Sequence, residues 1–115
     1  VAKTPLEAAK LAGELALSKK AQGVVLLDLR QLSPLADFFV LASGDSDIQV
    51  RAIADAIIEG LGESGWSVWH VEGYGHGRWI LLDYVDLVIH IFHEEARHFY
   101  ALERLWGDAV REELV

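Results

Sequence analysis

Apolar residues recur at helical spacing in three stretches of the chain. Across 4–20, TPLEAAKLAGELALSKK, a stripe forms from Leu6, Ala9, Leu11, Leu15 and Ala16. Thr4 stands as N-cap, Pro5 follows at the first helical position, Glu7 completes a capping box, and Lys19 and Lys20 fall where the helix dipole favours cations. Ser46 and Gln49 make a second capping box ahead of Ile53, Ala54, Ile57, Ile58 and Leu61, until glycines at 60, 62 and 65 end that helix. GVVLLDL (23–29) and FFVLASG (38–44) are near-continuous apolar runs, which predicts two buried strands joined by RQLSPLAD with its Pro34. WSVWHVE (66–72), RWILLD (78–83) and DLVIHIF (86–92) follow with short turns between them, as in an antiparallel meander. From Glu94 to Glu113 the pattern turns helical again, with Phe99, Leu102, Leu105 and Trp106 as its apolar face. The order predicts an α/β fold: a mixed five-stranded sheet packed with helices, forming a single domain over 1–115 without repeats, linker or low-complexity tract.

Composition narrows what such a domain can do. A chain of 115 residues that is 52% apolar can build one core. Its apolar runs are short and broken by charge, so no membrane span is expected. There is no basic, apolar leader of the secretory type, and the lack of an initiator methionine leaves room for residues upstream of Val1. Without cysteine there is no disulfide, no thiolate catalysis and no Cys-ligated zinc, which fits a reducing cytoplasm. Eighteen acidic against ten basic residues give a net charge of −8. That field repels a phosphate backbone, so little direct nucleic-acid binding is expected, and it attracts basic proteins.

Several motifs carry candidate chemistry. HEEARH (93–98) has its histidines five residues apart, whereas a zinc-protease helix needs them four apart on one face. His90 shares a strand face with Val88 and Phe92, as a half-buried histidine with one hydrogen bond would, and no serine or cysteine partner is visible for it as a base. His70 and His76 flank a glycine-rich turn and read as solvated. SGDSD (43–47) places a glycine between a strand and a helix start, a way of presenting amides to phosphate, and Asp45 and Asp47 with Asp83 or Asp86 would make a magnesium-binding carboxylate set. The simpler reading makes Ser46 a cap and the two aspartates complements to the helix dipole.

The stretch 64–92 holds three of the four tryptophans and three of the five histidines. Alternation sets Trp79, Leu81 and Asp83 on one side of their strand and Arg78, Ile80 and Leu82 on the other. If helices cover the second side, the first exposes an apolar and aromatic group rimmed by Glu72, Asp83 and Asp86, which suits a protein interface. Spacing alone leaves Trp79 equally readable as core.

DLRQLSPLADFFVLASGDSDIQVRAIADAI, EGYGHGRWILLDYVDLVIHIF and EEARHFYALERLWGDA, in this order across nearly all of 28–109, resemble the ribosomal silencing factor family, also called the Iojap-like proteins. The resemblance implies a nucleotidyltransferase-like topology without an established catalytic role, and a translation regulator in the cytoplasm. Such a protein would bind the large ribosomal subunit through its uL14-type protein and block joining of the small subunit when nutrients are scarce; organellar relatives act in large-subunit assembly. On this reading Trp79, Leu81 and Tyr84 are the apolar partner-binding residues, and Glu72, Asp83 and Asp86 face basic side chains. No catalytic, cofactor-binding or metal-binding residue is assigned. Two alternatives stay open: a divergent magnesium-dependent enzyme of the nucleotidyltransferase fold, and a homodimer that uses the same strand surface. Two positions depart from the family pattern. Val85 stands where glycine is common, so the tight turn there is expected to differ, and Gly77 replaces a common alanine before Arg78 and Trp79.

Overall fold

A computed structural model describes residues 2–34, 36–100 and 109–114, the side chains of 98–100 excepted. Helix α1 (Pro5–Ser18) starts where its cap requires, the Thr4 hydroxyl accepting the Glu7 N–H at 3.1 Å. Strands β1 (Gln22–Asp28) and β2 (Phe38–Gly44) follow, then helix α2 (Asp47–Glu63), capped by Ser46 Oγ on the Gln49 N–H at 3.1 Å. The meander consists of β3 (His70–Glu72), β4 (Trp79–Asp83) and β5 (Leu87–His93). Helix α3 (Glu94–Tyr100) and strand β6 (Val110–Glu113) complete the described chain.

The sheet has six strands in the order β3-β4-β5-β2-β1-β6, one more than the sequence predicts. The mixed character is as predicted, β2 and β5 running parallel and the other pairs antiparallel. The added strand lies where a helix reaching Glu113 is expected from the sequence. Val110–Glu113 pairs with Asp28–Val25 and gives the outer edge of β1 a hydrogen-bonding partner. The helical face expected from Leu102, Leu105 and Trp106, and the side chain of Phe99, lie outside the described residues. WSVWHVE is also shorter as a strand than expected, pairing only at His70–Glu72. Trp66 is drawn away, its indole N–H donating to the Ala2 carbonyl at 3.0 Å as the ring packs against the core.

Helices α1 and α2 lie together against one face of the sheet and bury Val24, Leu26, Val40, Ala42, Ile80, Leu82, Ile89 and Ile91. On the second face α3 packs near β5 and β2, and a smaller cluster forms from Val25, Leu27, Leu29, Leu41 and Phe92, with Phe39, Trp79 and Ala109 against it. Arg97 of α3 ties the helix down, donating from Nη1 to the Gly23 carbonyl at 2.8 Å and to Ser43 Oγ at 2.7 Å. Among the described residues, no helix covers the sheet beside β4 and β3 on that side.

Candidate docking surface

Pleating decides which side chains reach the open area. Ile80 and Leu82 go under the helices, while Trp79, Leu81 and Asp83 face the other way and are half-buried, as alternation predicts. Cross-strand register extends the row: Glu72 lies opposite Leu81 and Leu81 opposite His90, while His70 lies opposite Asp83 and Asp83 opposite Val88. Ala36, Phe39, Trp69, Leu81, Asp83, Val85, Val88 and His90 line a shallow groove of about 550 Å³ on this face. Among the described residues its lining is apolar apart from one carboxylate and one imidazole.

Trp79 stands beside this groove. Its indole stacks on Phe92, with ring centroids 5.2 Å apart, and its Nε1–H donates to Nδ1 of His90 at 3.1 Å. The tryptophan is therefore partly core and partly surface. His90 makes the single hydrogen bond expected of it but is more deeply buried than expected, only 4% exposed. An indole N–H can only donate, so Nδ1 of His90 is the acceptor and the ring proton sits on Nε2, which has no hydrogen-bond partner among the described residues. Burial pushes the imidazole down to about 4, so it is neutral near pH 7.

The remaining predicted residues separate. Glu72 is exposed at the outer strand and pairs with His70, Oε1 to Nε2 at 3.1 Å. Asp83 uses Oδ1 to accept the Val85 N–H at 2.7 Å, which fixes the carboxylate at the groove's end. Asp86 is exposed in the same turn, and its carbonyl accepts the N–H groups of Asp37 and Phe38. Tyr84 is a correction. It packs in the larger core under the helices, 6% exposed, because the alternation that turns Asp83 outward turns the next residue inward. Burial pushes its phenol up to about 12, and the ring is not part of the open surface.

The turn holding Val85 also differs from expectation. Val85 adopts φ 76°, so the tight conformation is kept in spite of the β-branched side chain. Both Val85 and Trp69 line the groove and are exposed, and neither is among the predicted contacts. Tertiary pairing, the Trp69 N–H donating to the Asp83 carbonyl at 2.9 Å, brings the tryptophan beside β4.

SGDSD closes on itself. The Asp45 N–H donates to Oε1 of Gln49 at 2.6 Å, the Gln49 N–H to Ser46 Oγ, and the Ile48 N–H to Oδ1 of Asp47 at 3.1 Å, so these amides already have acceptors. Asp45 and Asp47 follow the end of β2 that pairs with His93, whereas Asp83 and Asp86 lie at the Leu87 end of β5. The seven residues of β5, about 20 Å at strand rise, separate the two pairs of carboxylates. Among the described residues no three His, Cys, Asp or Glu side chains come together as metal ligands.

Comparison with known proteins gives a consistent result. The profile of a family described as "Ribosomal silencing factor during starvation" matches residues 2–115. A protein of Halalkalibacterium halodurans named ribosomal silencing factor RsfS is 45% identical over 96 residues, 84% of this chain and 82% of that one. One of the same name from Bacillus subtilis is 42% identical over 100 residues, 87% of this chain and 85% of its own. A crystal structure of a Chromobacterium violaceum protein superposes with a TM-score of 0.89 at 34% identity, covering 91% of this chain and 88% of its own.

Proposed function

The chain belongs to the ribosomal silencing factor family, and on that premise we propose that it represses translation in the cytoplasm by docking on the large ribosomal subunit and keeping the small subunit from joining. The docking partner is the uL14-type protein of the large subunit. The observation that supports this most is the open sheet face itself: an apolar groove beside Trp79, with Leu81 in its lining, bordered by Asp83 and flanked by Glu72 and Asp86. Apolar anchors inside a charged rim suit a protein interface, and a carboxylate rim selects a basic partner.

Mechanism follows from bulk and position. A body of 33 × 32 × 25 Å seated on the joining surface excludes the second subunit by volume, with no bond made or broken. The strength of the block is then set by affinity alone. A two-fold pairing through the same face would gather the rim carboxylates of both copies at one interface, whereas a basic partner neutralises them.

Sedimentation of separated subunits with saturating protein tests the reading: the large subunit should carry the protein, and joined particles should be depleted. Normal joining at saturation overturns it. Trp79→Ala should weaken docking about thirtyfold, the equivalent of about 2 kcal/mol for a central aromatic anchor. It should also lower the melting temperature, since the Phe92 ring loses its stacking partner. Undiminished affinity in a folded Trp79→Ala variant would remove this tryptophan from the docking surface.

A further inference from the structure

Val85 is held in a backbone conformation that its own side chain opposes. At φ 76° the β-branched carbons crowd the neighbouring peptide, and glycine would occupy the position without that clash. The turn keeps the residue there through the Asp83 carboxylate on its N–H and through the Tyr84 N–H on the Leu87 carbonyl at 2.8 Å. A strained side chain can be offset by burial, but this one is 57% exposed. Trp69, on the same groove, is 72% exposed although its backbone is fixed to β4. A large indole and a strained isopropyl group therefore both face solvent over a floor that includes Leu81 and Val88.

We infer that Trp69 and Val85 form an apolar clamp that closes on a side chain of the docked protein, so that contact with the partner offsets the strain stored at Val85. The inference rests on the docking reading above and adds what the groove takes: an apolar side chain of the partner, seated between the two residues, with a basic neighbour close enough to meet Asp83. Continuity supports it, since the groove shares Leu81 and Asp83 with the proposed docking face, and so does charge. Asp83 contributes the groove's one carboxylate among the described residues, and its Oδ1 is already committed to the turn, which holds the group in place for a basic partner.

The test compares wild type, Val85→Gly, Trp69→Ala and the double variant by melting and by co-sedimentation with isolated large subunits. Val85→Gly should melt no lower than wild type, because relief of the clash offsets the extra freedom of the unfolded glycine chain, yet it should dock about tenfold more weakly. Trp69→Ala should lose about as much, and the double variant less than the product of the two, since both contact one side chain. Affinities equal to wild type in both single variants overturn the clamp while leaving docking intact. A Val85→Gly variant that melts well below wild type also overturns it, because the isopropyl group then serves the fold. If the wild-type protein does not sediment with large subunits, the docking reading itself fails.

Discussion

His90 is surrounded by the rings of Phe39, Trp79 and Phe92, so protonation adds a charge where little water is available to solvate it. Its folded value of about 4 lies below the usual 6.5, so the unfolded chain binds the proton more readily. The associated stability is fully present above about pH 6.5 and is lost as pH falls toward 4, on the order of 3 kcal/mol in total. Denaturant melts of wild type and His90→Phe at several pH values in that window should show wild type losing more stability with acid, and parallel curves would place the imidazole in a wetter setting. Side-chain direction is the most legible property at this scale: period-two alternation alone picks out Trp79, Leu81 and Asp83. Tyr84 obeys the same rule, which sends it into the core and away from the interface that the family resemblance implies for it. Trp69 and Val85 are not legible as contacts, because one depends on a long-range hydrogen bond and the other on a backbone angle that its residue type argues against.

Helix boundaries are readable from caps, and the Ser46 cap carries a second device that spacing does not disclose. The Gln49 amide accepts from the Asp45 N–H and donates to the carbonyls of Lys19 and Lys20, both at 3.1 Å, which joins the start of α2 to the chain leaving α1. Gln49→Ala removes those bonds and leaves their backbone partners to water, so it should lower unfolding stability by about 0.5–1.5 kcal/mol. Docking should be unchanged, because Gln49 belongs to the helical layer and the docking face lies on the other side of the sheet. Co-sedimentation of this variant checks that separation, and weakened docking in a folded Gln49→Ala protein would mean that the surface reaches round to the helices. Strand β6 shows the opposite limit of local reading. Arg111, Glu112 and Glu113 are good helix formers, and only pairing with β1 makes their segment extended. WSVWHVE is shorter as a strand than its pattern suggests for a related reason, since Trp66 finds its partner at Ala2, far away in sequence.

At the scale of the molecule, charge is the property most open to test. The chain carries −8, but at 0.1 M salt a charge acts over a Debye length of about 10 Å, less than half the shortest extent of the body. Attraction to a basic partner therefore comes mainly from carboxylates near the contact, and Glu72, Asp83 and Asp86 are the proposed set. Neutralising them as Glu72→Gln, Asp83→Asn and Asp86→Asn should leave the fold intact, because the amide oxygen that Asp83→Asn introduces can still accept the Val85 N–H. Each charge on this solvent-accessible rim contributes about 1 kcal/mol or less, so the triple variant should dock roughly ten- to a hundredfold more weakly at low salt. Its affinity should also vary less with salt than that of wild type, converging on it as screening removes what the substitutions removed. Association rates measured across a salt series provide the check. Equal salt slopes in the two proteins would mean that the rim does not face a basic surface, and the charge that guides docking would then have to lie elsewhere on the chain.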